Sequence, residues 1–156
     1  MYKIKSRFII IFLIALTFFV LQKHKVLAQE PWTEQQLMEP SELAAIIESG
    51  DQQPPYIISV SPENAHGLRP GKGIKGAVDF GAADEPENLE KLKASLEALP
   101  KDSEIVLYCG CCPFNVCPNI RPAFSLLNEM EFTNHKLLNL KKNIRVDWMN
   151  KGYPMN

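Results

Sequence analysis

Glu104-Ile105-Val106-Leu107-Tyr108-Cys109 is the clearest strand signal in this 156-residue chain. The segment behind it reads Gly110-Cys111-Cys112-Pro113-Phe114-Asn115-Val116-Cys117-Pro118-Asn119-Ile120-Arg121-Pro122-Ala123. A short unbroken apolar run of this kind suits a strand buried on both faces, as in a parallel sheet. All four cysteines of the chain fall between Cys109 and Cys117. A stabilising disulfide framework spreads its cysteines, because closing long loops removes the most chain entropy. Clustering in one loop points to local chemistry instead.

Helical and strand-like signals alternate on either side of this segment. Glu39 to Ile47 reads as a helix with Leu43, Ile46 and Ile47 on one face, Pro40 near its start and Gly50 placed to stop it. Tyr56 to Val60 is a second buried strand, and Ser61 to Lys75, with Gly67, Pro70, Gly71 and Gly73, is loop. Gly76 to Phe80 is a short strand. Pro86 to Leu99 is amphipathic, with Leu89, Leu92, Leu96 and Leu99 on one stripe. Arg121 to Met130 is helical, Lys136 to Leu140 a further strand, and Ile144 to Asn150 a closing helix before Gly152. Strands separated by helices imply an α/β fold, a mainly parallel sheet with helices on both faces. Ligands bind such sheets beyond the carboxyl ends of the strands, where the cysteines fall.

The loop returns into a helix that starts near Asn119, a residue type suited to an N-cap, with Pro122 in the first turn. Unpaired N–H groups at a helix start attract negative charge. A cysteine held there, close to the Arg121 guanidinium, is expected to have a lowered pKa and a larger thiolate fraction. The same groups would receive a small anion.

These residues carry a specific resemblance. A strand ending in Tyr108-Cys109, a loop, and an arginine opening a helix resembles the active-site segment of rhodanese-like sulfurtransferases. Leu37 to Ile47 resembles that family's opening helix region, and Tyr56 to Val60 its first core strand. Gly73-Ile74-Lys75-Gly76-Ala77 is similar to its His-Ile-Pro-Gly-Ala turn. Trp148 with Gly152-Tyr153-Pro154-Met155 is similar to its Trp…Ala-Gly-Tyr-Pro ending. The likeness runs from Met38 to Met155 and implies a rhodanese-like fold. It also implies that Cys109 takes up sulfane sulfur, for example from thiosulfate, as a persulfide, with Arg121 binding the anion and Gly110, Cys111, Cys112 and Asn119 forming the substrate loop. Some positions depart from the pattern. Eleven residues separate Cys109 from Arg121, a longer loop than the family's, and Ser59, Ser61 and Lys75 stand where the family has aspartate, arginine and proline.

Three readings of the cysteines stay open at this level. In persulfide chemistry at Cys109, a neighbouring thiol such as Cys112 releases the sulfur by disulfide formation; Cys111 and Cys117 are the other candidates. In thiol–disulfide exchange, Cys109-Gly110-Cys111-Cys112 supplies a Cys-x-x-Cys pair, and four cysteines allow three pairings. In metal binding, thiolates suit a soft ion such as Cu(I), or zinc, with Cys109, Cys112 and Cys117 as the set, because the adjacent Cys111 and Cys112 cannot easily both face one ion. No cofactor is expected. The expected partners are a small sulfur-containing anion and a thiol acceptor protein.

Residues 1–28 are set apart. Lys3, Lys5 and Arg7 precede Phe8 to Leu21, a run of 14 residues that is apolar except for Thr17, and Val26-Leu27-Ala28 precedes Gln29. A basic start, a short apolar run and a small-residue site describe a secretory signal peptide cleaved before Gln29. The run is shorter than the ~20 residues that span a bilayer. Gln22-Lys23-His24-Lys25 interrupts the pattern, and the alternative is an uncleaved N-terminal anchor, the one case in which a membrane is a partner. Both place the domain outside the cytosol, periplasmic or extracellular, where disulfides persist. Residues 29–37 are expected to be a flexible lead-in onto which Trp32 can pack, and residues 38–156 to be one monomeric domain. The chain has 17 basic and 18 acidic residues; without residues 1–28, which hold five of the basic ones, 12 face 18, a net charge of −6. A mildly acidic domain with no basic cluster excludes nucleic acid. His66 and His135 have no ligand-spaced neighbour in sequence, so packing or surface roles are expected, and Trp148 is expected in the core.

Overall fold

The computed structural model describes residues 30–50, 54–63, 65 and 72–156. The expected signal segment and His66 lie outside the described residues. Five strands, β1 (Leu37–Met38), β2 (Tyr56–Ser59), β3 (Val78–Asp79), β4 (Ile105–Tyr108) and β5 (His135–Leu138), form one parallel sheet in the order β1-β5-β4-β2-β3. Four α-helices accompany them: α1 (Pro40–Ser49), α2 (Pro86–Leu96), α3 (Ile120–Glu129) and α4 (Ile144–Asp147). Among the described residues no helix is long and apolar enough to cross a membrane.

β4 lies between β2 and β5, with Ile58 level with Leu107 and Ser59 with Tyr108 on one side and Leu107 level with Leu137 on the other. All four of its residues are buried, as an unbroken apolar run requires. The period of two then divides the core. Ile105, Leu107 and Cys109 join Leu92 and Leu96 of α2 and Ile120, Phe124 and Leu127 of α3 on one face. Val106 and Tyr108 join Leu43 of α1, Ile144 of α4 and Trp148 on the other. Helix α1 ends at Gly50, whose φ of 62° lies in the left-handed region that glycine adopts without strain.

The strands are shorter than their apolar runs, because pairing stops where the neighbour bends away. β3 keeps only Val78–Asp79 of the expected 76–80, and α2 ends at Leu96 rather than Leu99. The closing helix breaks after Asp147 and continues as a 3-10 turn, Met149–Lys151. Residues 30–37, in the segment expected as a lead-in, have a definite place. From Glu30 onward they are packed on the domain: a 3-10 turn at Glu34–Gln36 leads into β1, which pairs with β5. Trp32 lies 5.7 Å, centroid to centroid, from Phe124 and 6.0 Å from Phe114. A lone tryptophan and two strand residues outweigh the polarity of their neighbours.

Candidate functional site

The chain leaves β4 at Tyr108 and turns at Gly110, which is held on both sides. Its N–H donates to Ser61 Oγ at 2.8 Å, and its carbonyl accepts from the N–H of Ile144 at 3.1 Å. A β-carbon there would lie 2.8 Å from Ile144 Cγ2, so the close approach requires glycine. Ser61 Oγ also accepts from the Ser59 hydroxyl at 3.1 Å. Ser59 and Ser61 thus tie the end of β2 to the start of the cysteine loop.

With Gly110 fixed, the loop folds back on itself. Cys111 Sγ comes to 3.2 Å from Cys109 Sγ, 2.9 Å from Cys112 Sγ and 3.8 Å from Cys117 Sγ. A 3-10 turn, Phe114–Val116, carries the chain round to Cys117, and the Phe114 N–H is anchored on the Leu140 carbonyl at 3.1 Å. Cys109 and Cys117 are buried, Cys111 and Cys112 half-buried, and none of the four is in a disulfide. The sulfurs of Cys109, Cys111 and Cys117 all lie within 4.8 Å of one another. Sequence spacing favours Cys112 as the neighbour of Cys109; in the structure the Cys111 sulfur lies beside it, because the turn at Gly110 brings back the residue two positions on.

The four sulfurs titrate as a unit. Cys117 is pushed down to about 2, chiefly by hydrogen bonds from the Cys109 and Cys111 thiols, with the backbone N–H of Asn119 adding to them. The Cys111 hydrogen bond pulls Cys109 down, but the Cys117 contact and burial outweigh it and carry the group up to about 12. Cys111 is raised by its contacts with Cys109 and Cys117 and by burial. Cys112 is raised by burial. Cys117, at the approach to α3, is thus the sulfur held lowest, and Cys109 is raised rather than lowered as its position alone leads one to expect.

Asn119 occupies the N-cap position of α3 but makes no side-chain cap. Instead its Oδ1 accepts from the Asp84 N–H at 3.1 Å, while Nδ2 donates towards Cys109 Sγ at 3.7 Å. Arg121 is placed behind the loop. Its guanidinium donates to Glu30 Oε1 at 2.6 Å, to the Asn115 carbonyl at 2.7 Å and to the Cys117 carbonyl at 3.5 Å, with its carbon 5.6 Å from the Trp32 ring centroid. The structure brings Gly110, Cys111, Cys117 and Asn119 together around Cys109 and gives Arg121 the work of bracing the loop. Ser61, Glu30 and Trp32 contribute to the site beyond the residues expected there. In the sequence Trp32 reads only as able to pack on the domain and Ser61 only as a departure from the family pattern; nothing local marks Glu30. His135 is buried, with Nε2 2.9 Å from Asn128 Oδ1 and its ring 4.7 Å from Phe124, a packing role.

Beside the loop, a cleft of about 550 Å³ opens beyond the carboxyl ends of β2, β3 and β4, with Ser59, Ser61, Asp79, Phe80 and Tyr108 among its lining residues. None of the four cysteines lines it; it borders the cysteine loop only through Ser61, which holds Gly110.

Comparison with known proteins agrees with this geometry. No curated protein sequence matches the chain. Among solved structures, the Alr3790 protein from Anabaena sp. is similar in fold, with a TM-score of 0.53 and 19% sequence identity over 76% of this chain and 90% of that one. The family model for the rhodanese-like domain matches residues 39–142, which run from just after β1 through β5 and include the entire cysteine loop. With the parallel sheet and a cysteine directly after its central strand, the chain belongs to the rhodanese-like domain family.

Proposed function

We propose that this domain is a sulfurtransferase-type protein that takes up sulfane sulfur as a persulfide on Cys109 and releases it through Cys111. The observation that carries the reading is the 3.2 Å separation of these two sulfurs directly beyond the carboxyl end of β4. The Cys109 thiol hydrogen-bonds the Cys117 sulfur, which holds it in place, and gives up its proton to solvent at the half-buried rim of the loop. Cys109 Sγ then attacks the outer sulfur of a thiosulfate-like anion. The sulfur–sulfur bond of the donor breaks, sulfite leaves with the electron pair, and the persulfide remains on Cys109. Asn119 Nδ2 and the loop N–H groups face the charge.

Release follows from the second contact. The Cys111 thiol attacks Cys109 Sγ, the persulfide bond breaks, the outer sulfur leaves as hydrosulfide carrying the Cys111 proton, and a Cys109–Cys111 disulfide forms. The sulfane sulfur is reduced by two electrons and the two thiols are oxidised by two. A thiol protein in the same compartment returns the pair to dithiol. The basic and apolar character of residues 1–28 supports export, signal-cleaved or anchored, as the setting for that exchange.

Under anaerobic conditions, the reduced full chain incubated with thiosulfate should release one sulfite per chain in a single turnover. Cys109→Ser should release none, and sulfite release that survives this substitution would sink the assignment.

A further inference from the structure

We propose that Cys109, Cys111 and Cys117 form a three-coordinate site for a soft monovalent metal ion, Cu(I). This goes beyond sulfur transfer, and it excludes it while the ion is bound, because both uses occupy Cys109 Sγ.

The donor set comes first. Three sulfurs lie mutually within 4.8 Å, with two of the separations at 3.2 and 3.8 Å. Ligands about 2.3 Å from a central ion, the metal–thiolate distance, stand roughly 4.0 Å apart in a trigonal plane. The Cys111–Cys117 separation is already close to that value, while the Cys109–Cys111 pair has to open, and Cys111 is the half-buried member on the loop. Among the described residues no histidine or carboxylate joins the cluster, so each of these donors is soft, the character that selects Cu(I) over harder ions.

Coordination number separates Cu(I) from zinc. Zinc sites are almost always tetrahedral, and the fourth sulfur here belongs to Cys112, adjacent in sequence to Cys111 and outside the trio. Two adjacent cysteines do not readily serve one small tetrahedral ion, whereas three thiolates complete a trigonal one. The surroundings fit an anionic metal–thiolate centre. Asn119 Nδ2 faces Cys109 Sγ at 3.7 Å and the Asn119 backbone N–H faces Cys117, donors that orient and neutralise ligated sulfur. Cys109 and Cys117 are buried among Ile120, Phe124 and Phe114, which exclude water and competing oxidants, and Cys111 leaves an entry side.

The test titrates the reduced full chain, anaerobically, with Cu(I) held by a competing chromophoric chelator. Wild type should withdraw one ion per chain. Cys112→Ser should match it, while Cys111→Ser and Cys117→Ser should bind more than about 100-fold more weakly, since losing a ligand costs more than losing an outer partner. Cys111→Ser changes a half-buried residue, which keeps the test valid if Cys117→Ser unfolds. Failure of wild type to compete, undiminished binding by Cys111→Ser, a requirement for Cys112, or preference for Zn(II) in direct competition would each overturn the site. Sulfite release by the metal-free protein is measured separately, so failure of the metal site and failure of sulfur transfer give different patterns.

Discussion

Replacing Ser61 by alanine tests whether the cysteine loop is held from β2. The Ser61 hydroxyl accepts the Gly110 N–H at 2.8 Å, both residues are buried, and Gly110's carbonyl is already used by Ile144. Alanine fits the space but leaves the buried Gly110 N–H without its acceptor, and Ser59 loses an acceptor. A buried donor left without its partner costs about 1–3 kcal/mol, more than the bond itself contributes net. With a urea m-value of roughly 2 kcal/mol/M, a loss of about 2 kcal/mol moves the unfolding midpoint down by about 1 M. Urea unfolding in excess reductant, followed by circular dichroism, measures that shift; Ser41→Ala, on the exposed side of α1, is the control and should stay within about 0.5 kcal/mol. The same variant should alkylate faster at Cys109, because the turn that covers it has lost an anchor. A midpoint unchanged from wild type would refute the claim that Ser61 holds the loop.

Two more outcomes follow from the same geometry. Arg121→Lys should behave like Arg121→Ala, each losing about 1–2 kcal/mol in urea, because one ammonium cannot span Glu30 and two loop carbonyls. Glu30→Gln should cost under about 1 kcal/mol, since that ion pair is part-exposed on both sides; a full rescue of stability by lysine would contradict the bracing role. Burial holds the His135 imidazole below its ordinary value. The unfolded chain therefore binds the proton first, so stability is intact above about pH 6.5 and falls as the pH drops below it towards the folded value. The urea midpoint should decline between pH 7 and 5 in wild type and decline less in His135→Gln; equal slopes would remove His135 as the cause.

The order of elements was legible because each carries its own period: Ile105 to Tyr108 is apolar without interruption, and Leu89, Leu92 and Leu96 repeat at helical spacing. Their ends were less so, since a strand stops where its neighbour leaves, as Val78–Asp79 shows beside Ser59. β1 escaped notice because two residues have no period and are a strand only through pairing with β5. Within the site, the sequence located the sulfurs but not their pairing. Spacing favoured Cys112 as the partner of Cys109, and only the two-sided hold on Gly110 turns Cys111 there instead. Arg121 looked like an anion partner from its place at a helix start; its occupation by Glu30 depends on a contact ninety-one residues away in sequence, which no local pattern encodes. Asn119 has the residue type of an N-cap, yet its amide spans Cys109 and Asp84, and Cys117 is the sulfur held lowest because neighbouring thiols, Cys109 first, and the Asn119 N–H converge on it.

The central claim is that Cys109 carries sulfane sulfur. Its most direct test is the intact mass of the reduced, metal-free chain after anaerobic exposure to thiosulfate, in Cys111→Ser, where the proposed release step is blocked and the persulfide should accumulate. The account predicts a gain of one sulfur atom that reductant removes and that mapping assigns to Cys109, with no gain once Cys109→Ser is added. No gain in Cys111→Ser, or a gain that survives loss of Cys109, would contradict it.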